Sequence, residues 1–265
     1  MAEPALVVFG ITGRMGQCVA RALREGSPFR LSGAVASAAS SRLGQRAAEG
    51  ESSGVIITAD SAAALENASV AVDFSSSGAV AAHARACAKA RVPVLIGTTG
   101  IDASTIAELK NAAQETAVLI APNTSVGVAV LHQLVAAAAS GLGPAFEVEI
   151  SEAHHRLKRD APSGTALSLG ERVAGVRGQR LGDVAIYGRH GVGPPRNPSS
   201  IGFAVVRAGD IVGEHSVTFA GAGERLEITH RASDRMIFAR GALQAAAWLL
   251  GRPAGLYGMQ DVLKV

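Results

Sequence analysis

Along the first half of the chain, short apolar runs alternate with longer segments whose apolar residues recur at helical spacing. The runs LVVF (6–9), FRLSGAV (29–35), VIIT (55–58), VAVDF (70–74), PVLIG (93–97) and AVLIA (117–121) have strand length. Between most of them lie helix-like segments: RMGQCVARALREG, SGAVAAHARACAKA and ASTIAELKNAAQE. Strand and helix repeated in this way predict a parallel sheet with helices on both faces. Its connections should be right-handed, and ligands should collect at the carboxyl ends of its strands.

From about residue 126 the pattern changes. A long helix over VGVAVLHQLVAAAASGLG precedes the strand FEVEISEA (146–153) and a helix from Ser163 to about Val176. The extended runs SIGFAVVRA, IVGEHSVTFA and ERLEITHRA follow, joined by turns at Gly209-Asp210 and Gly221-Ala222-Gly223. They predict a mainly antiparallel sheet. A last helix spans RMIFARGALQAAAWLLG (235–251). The loop GRHGVGPPRNPSS (188–200) is long and rich in Gly and Pro, as functional or mobile loops are. The fold class is α/β: a Rossmann-like parallel-sheet nucleotide domain joined to an α+β domain with a mainly antiparallel sheet.

Composition narrows the function. At 265 residues the chain can form one large or two modest domains, and 48% hydrophobic with 18% charged residues suits a globular protein. Aromatics at 4% leave few stacking platforms for single-stranded nucleic acid. A net charge of +3 suits a locally positive cleft for an anion more than a DNA-binding face, so no nucleic-acid partner is expected. Cys18 and Cys87 lie in helical patterns without metal or redox spacing. Buried thiols favour a reducing cytoplasm, and no metal site is expected. MAEPALVVFG lacks a basic lead-in, and its apolar run is too short for a signal peptide. The longest apolar segment is interrupted by His132 and Gln133 and reads as a buried helix, with no membrane partner.

The first strand runs into GITGRMG, with glycines at 10, 13 and 16, and then into a helix. Glycine there allows a tight turn, close approach of backbone to a pyrophosphate, and packing of helix on strand. The helix N-terminus would face the phosphates. Arg14 would sit beside them, or is a solvated surface arginine. GTTG (97–100) and APNTSVGV (121–128) each leave an apolar strand with small hydroxyl or amide side chains suited to a nicotinamide ribose and carboxamide. Taken singly, Thr99 and Asn123 or Ser125 could be ordinary helix caps.

The stretch EAHHRLKRDAPSGTA (152–166) is the most unusual in the chain. Strict strand alternation would turn His154 and His155 to opposite faces, so the chain must bend there if both serve one site. Asp160-Ala-Pro-Ser163-Gly-Thr165 reads as a turn and a helix start with Ser163 at or near the N-cap. Amides at a helix start, the Ser163 and Thr165 hydroxyls and the Lys158 ammonium make a carboxylate receptor. A histidine can exchange a proton near neutrality. Zinc is disfavoured because adjacent histidines rarely share one ion. A serine hydrolase would want a G-x-S-x-G elbow, which is absent. The remaining alternative is a satisfied polar loop with no chemistry.

E-A-H-H-R-x-K-x-D-A-P-S-G-T-A resembles the signature of the 4-hydroxy-tetrahydrodipicolinate reductase (dihydrodipicolinate reductase) family of lysine and diaminopimelate synthesis. GxxGRMG, GTTG, NTSVGV, IGFAVVRAGDIVGEH, GERLEITHRASDR and LYGMQDVL are similar to that family in the expected order, over essentially the whole chain. The resemblance implies reduction of a small cyclic dicarboxylate by NADPH or NADH. It implies His154 as proton donor or acceptor and Lys158 as the other catalytic residue. His155, Ser163, Gly164 and Thr165 would bind substrate carboxylates. Gly10, Ile11, Thr12, Gly13, Arg14, Met15, Gly97, Thr98, Thr99, Ala121, Pro122, Asn123 and Thr124 would hold the dinucleotide. It further implies a nucleotide domain of residues 1–125 with 235–265, and a substrate-binding and tetramerisation domain of residues 126–234 in a homotetramer.

Two departures from the family pattern stand out. Thr124 replaces the Phe or Met often found there, which should alter packing near the nicotinamide. The second strand ends in VASAASSR, with no carboxylate before Glu49 to bind a ribose 2′-hydroxyl. Ser37, its neighbouring hydroxyls and Arg42 could instead bond a 2′-phosphate, so the cofactor reading leans to NADPH.

Overall fold

The computed structural model describes residues 3–47 and 54–263. Its elements run β1 (Ala5–Phe9), α1 (Arg14–Arg24), β2 (Arg30–Val35), β3 (Ile57–Thr58), α2 (Ser61–Leu65), β4 (Val70–Asp73), α3 (Ser77–Ala90), β5 (Val94–Ile96), α4 (Ala103–Ala112) and β6 (Ala117–Ile120). Then come α5 (Val126–Leu142), β7 (Glu147–His154), α6 (Gly164–Val176), α7 (Leu181–Val184), β8 (Ala185–Ile186), β9 (Ile201–Arg207), β10 (Gly213–Ala220) and β11 (Arg225–Ala232). The chain closes with α8 (Met236–Leu249), β12 (Gly255–Tyr257) and α9 (Met259–Leu263). It divides into two compact units, Met1–Val126 with Arg235–Val265, and Gly127–Asp234.

In the first unit seven strands lie in the order β12-β6-β5-β4-β1-β2-β3, all parallel. Apart from the β12 edge this is the Rossmann order, with its switch point between β1 and β4. The apolar runs are explained by burial on both faces. Val7 and Phe9 join the core with Leu65, Val80 and Leu109 of α2, α3 and α4. Leu6 and Val8, which alternation turns to the other face, are as fully buried. α8 packs against α1 and against β4 and β5, so the last helix completes the unit built from the first half of the chain.

The second unit holds a five-stranded sheet in the order β11-β10-β7-β9-β8. β10 and β11 form the hairpin expected from Gly221–Gly223, and β10 is also antiparallel to β7. β9 does not pair with β10. β7 lies between them and runs parallel to β9, which in turn runs parallel to β8, so the sheet is mixed. Leu131, Val135 and Ala139 of α5 and Leu169 and Val173 of α6 pack on Val148, Ile150, Val217 and Phe219. α5 belongs to an apolar helical segment of 20 residues, Val126–Ala145, long enough to cross a bilayer, but one stripe of it is spent on this core. The loop at 188–200 is anchored: Arg196 donates to Glu149 Oε1 (2.9 Å) and to the carbonyls of Val148 (3.0 Å) and Ser200 (2.7 Å).

The turn from β1 into α1 demands glycine for two reasons. Gly10 has φ +77°, and a Cβ there would stand 2.5 Å from the Phe74 carbonyl oxygen. A left-handed conformation alone costs a non-glycine residue about 1–2 kcal/mol. Gly10→Ala should therefore lose more than about 2 kcal/mol in urea unfolding, and a loss below about 0.5 kcal/mol would show that the turn yields freely.

Candidate active site

Strand alternation assembles a polar cluster directly from the core of the second unit. On β7 the inward positions Val148 and Ile150 are followed by Glu152 and His154, and on β10 Phe219 and Val217 are followed by His215 and Gly213. Glu152 lies opposite His215 in the β7–β10 register, and His154 lies opposite Arg207 in the β7–β9 register. α6 begins beside them, with Ser163 as its N-cap, its Oγ accepting from the Ala166 N–H at 3.2 Å.

Glu152 is only 3% exposed and is the hub. Its Oε2 lies 2.6 Å from His154 Nδ1 and 2.7 Å from Arg207 Nη1. Its Oε1 accepts from Arg207 Nη2 at 2.8 Å and from the Ser163 N–H at 2.9 Å. Arg207 also donates to the Asp160 carbonyl (2.5 Å), tying the turn before α6 to the end of β9. Burial pushes the Glu152 carboxyl up, but bonds from Arg207, His154 and Ser163 outweigh it and hold the pKa below the usual range. An ionised carboxylate only accepts, so His154 carries its proton on Nδ1 and presents a lone pair at Nε2. A Cβ at residue 213 would come within 3.1 Å of that nitrogen, so Gly213 leaves space beside it.

Burial lowers the His154 pKa. Glu152 opposes that shift, and the charges of Lys158 and Arg207 add to it. His215 is pushed down to about 3, first by burial and then by His154. Both rings are neutral at pH 7. Their folded pKa values lie below the unfolded value of about 6.5, so their stability contribution is complete above that pH and is lost as pH falls.

The other residues picked out by sequence fall around this hub. The chain bends after β7, where the Lys158 N–H donates to the His155 carbonyl at 3.0 Å. Lys158 Nζ bonds Asp160 Oδ2 at 2.8 Å. Gly164 and Thr165 form the first turn of α6. Ser163 and His154 are joined through Glu152, whereas His155 is half-buried and stands outside that hydrogen-bonded cluster, its Nδ1 buried without a partner among the described residues. Sequence reading did not single out Glu152, Arg207 or His215 as its partners. The available signal was Glu152 and His154 at strand spacing on one face.

In the first unit, Gly10 to Met15, Ser37, Gly97 to Thr99 and Ala121 to Thr124 follow the carboxyl ends of β1, β2, β5 and β6. A Cβ at residue 16 would collide with the Gly10 carbonyl, and one at residue 97 with the Phe74 ring. α1 is capped by Gly13 with no side-chain hydrogen bond and has no acidic residue in its first turn. A close-approach glycine turn leading into a helix start with no side-chain cap fits a pyrophosphate. Thr98 is buried, its Oγ1 donating to Asp73 Oδ1 at 3.0 Å. Asp73 also accepts from the Ser75 N–H (2.8 Å) and pairs with His83 Nδ1 (2.8 Å), a fully buried carboxylate at the end of β4 that sequence reading passed over. α4 is capped by Asp102, which leaves Thr99 out of that duty. Thr124 is buried, and its Oγ1 donates to the Phe238 carbonyl at 2.7 Å, pinning the loop to α8. Ser37 is exposed, and Arg42 Nη2 reaches the Arg46 carbonyl at 3.4 Å.

The family models described as dihydrodipicolinate reductase, N-terminus and C-terminus, match residues 5–124 and 127–263. The chain belongs to the dihydrodipicolinate reductase family. It is 46% identical to the 4-hydroxy-tetrahydrodipicolinate reductase of Janthinobacterium sp. (strain Marseille), over 99% of each chain. It is 49% identical to that of Anaeromyxobacter dehalogenans, over 97% of each. A solved dipicolinate-bound dihydrodipicolinate reductase from Paenisporosarcina sp. TG-14 shares the fold, with TM-score 0.80 and 22% identity over 99% of this chain and 100% of that one. Membership makes the chain an oxidoreductase of a family that works with a pyridine nucleotide.

The Glu152–His154 contact predicts a titration. The carboxylate raises the His154 pKa, so Glu152→Gln removes that support and leaves Arg207 less compensated. The His154 ring should then titrate at lower pH than in the wild type, as read by NMR of the ring protons. An unchanged or higher pKa would contradict the contact.

Proposed function

We propose that this chain reduces 4-hydroxy-tetrahydrodipicolinate to tetrahydrodipicolinate with loss of water, in lysine and diaminopimelate biosynthesis. The observation that carries the reading is the bond from the Ser163 N–H to Glu152 Oε1, which folds both ends of the EAHHRLKRDAPSGT signature onto one carboxylate. The relatives named above carry this activity in their names.

In this reading the amides of Gly164 and Thr165, the hydroxyls of Ser163 and Thr165, and His155 bind the carboxylates of the cyclic substrate. Lys158 supplies a charge to the dianion and acts with His154 in catalysis. The 4-hydroxyl leaves as water together with a proton from the neighbouring carbon, and conjugation of the double bond so formed with the ring imine makes carbon 4 electrophilic. A reduced nicotinamide, when bound, supplies the hydride that carbon 4 accepts. The neighbouring carbon then needs a proton, and His154 delivers it from Nε2. Two cations beside a buried ring favour neutral His154 in the resting protein. An arriving dianion offsets them, so substrate binding itself favours the protonated ring. Fixing substrate and proton donor together is an orientation effect, which can be large.

The first unit is assigned to the dinucleotide, held at Gly10 to Met15, Gly97 to Thr99 and Ala121 to Thr124, and the second to substrate and assembly. NADPH is favoured because residues 36–47, which follow β2, contain no carboxylate, and Ser37 and Arg42 are available to a 2′-phosphate. Glu49 lies outside the described residues. A homotetramer is supported by the apolar side chains of Val205, Val206 and Leu226, exposed on β9 and β11. A cytoplasmic location follows from the biosynthetic role.

The test is turnover of the condensation product of pyruvate and aspartate semialdehyde, followed with NADPH and NADH side by side. Turnover should be seen, with kcat/KM for NADPH at least equal to that for NADH. His154→Gln and Lys158→Ala should each lower kcat by about 10²-fold or more while cofactor affinity holds. Absence of turnover, or near-normal kcat in both variants, would overturn the assignment.

A further inference from the structure

We propose that His215 is a positioning residue: its Nε2–H holds the Ser163 oxygen so that the serine's own proton is left for the substrate carboxylate. The inference rests on the dicarboxylate reading of the site and adds to it a residue that touches neither substrate nor cofactor.

His215 is buried on β10, opposite Glu152, with its ring edge-on to His154 at 5.1 Å between centroids. Its Nε2 lies 3.0 Å from Ser163 Oγ. That oxygen already accepts from the Ala166 N–H, and the Ser163 backbone is fixed by its bond to Glu152. Two arrangements are therefore open. If Nε2 is bare, the serine must donate its proton into the ring and turn a lone pair toward an incoming anion, which repels it. If Nε2 carries the proton, both acceptor positions of Oγ are filled, by Ala166 and His215, and the hydroxyl proton is free for the carboxylate.

The surroundings of the ring choose between these. His215 Nδ1 is buried and has no hydrogen-bond partner among the described residues. A proton there would be an orphaned buried donor, which folded proteins rarely tolerate. Double protonation is opposed by burial and by the nearby His154, His230 and Lys158, against which only Glu152 acts. The ring is left neutral, with its single proton on Nε2. Ser163 thus serves as an N-cap and as a donor at once, and His215 makes the two roles compatible.

The experiment combines ¹⁵N-imidazole NMR of the wild type with binding of pyridine-2,6-dicarboxylate to His215→Phe and His215→Gln, each with and without Ser163→Ala. The spectrum should show a neutral His215 protonated at Nε2 at pH 7. His215→Phe, which keeps a ring but has no N–H, should weaken dicarboxylate binding about tenfold and raise KM more than it lowers kcat. His215→Gln, whose amide can still donate to Oγ, should stay within about threefold of the wild type. On the Ser163→Ala background, His215→Phe should change binding less than about twofold. A proton on Nδ1, or an equal loss from His215→Phe with and without the Ser163 hydroxyl, would overturn the proposal. Failure of the wild type to bind the dicarboxylate would overturn the reading of the site and the proposal with it. That failure is told apart by the tautomer spectrum, which reads the His215–Ser163 arrangement without any ligand.

Discussion

The second unit is organised around one buried negative charge. Removing the Glu152 carboxylate from water is costly, and such a charge persists only when its lone pairs are occupied and a cation faces it. Here the facing cation comes from the end of β9, the two other donors from β7 and from the start of α6. The ends of β7 and β9 and the start of α6 are thereby tied to one carboxylate. The same bonds set the His154 tautomer and fix the backbone from which the first amides of α6 project.

The first unit repeats the device at the end of β4. Asp73 is fully buried and accepts from Ser75, Thr98 and His83. His83 stacks on Phe9 of β1, with ring centroids 4.2 Å apart. The strand ends flanking the switch point are thus braced by a buried carboxylate, while the glycines next to them keep side chains out of the way. Rigid strand ends carrying small loops are what a phosphate-and-ribose site requires.

Much of this was legible in the sequence. Strands buried on both faces appear as unbroken apolar runs, so the parallel sheet could be read from β1 to β6 without a structure. The N-cap at Ser163 follows from a turn sequence before a helical pattern. Pairings between distant strands were not legible. Glycine turns report only which strands are neighbours in sequence, so the insertion of β7 between β9 and β10 was invisible, and with it the meeting of Glu152, Arg207 and His215. β12 was missed because three residues at a sheet edge carry no periodicity. Nor does the sequence hint that the Thr124 hydroxyl caps a carbonyl of α8.

The most direct test of the account is calorimetric binding of pyridine-2,6-dicarboxylate to the wild type and to Glu152→Gln, with folding of the variant verified by near-UV circular dichroism. Glutamine keeps the shape but removes the charge that holds Arg207, His154 and the Ser163 amide. If that carboxylate organises the anion site, the folded variant should bind the dicarboxylate at least about tenfold more weakly. Equal affinity in a folded Glu152→Gln protein would contradict the account.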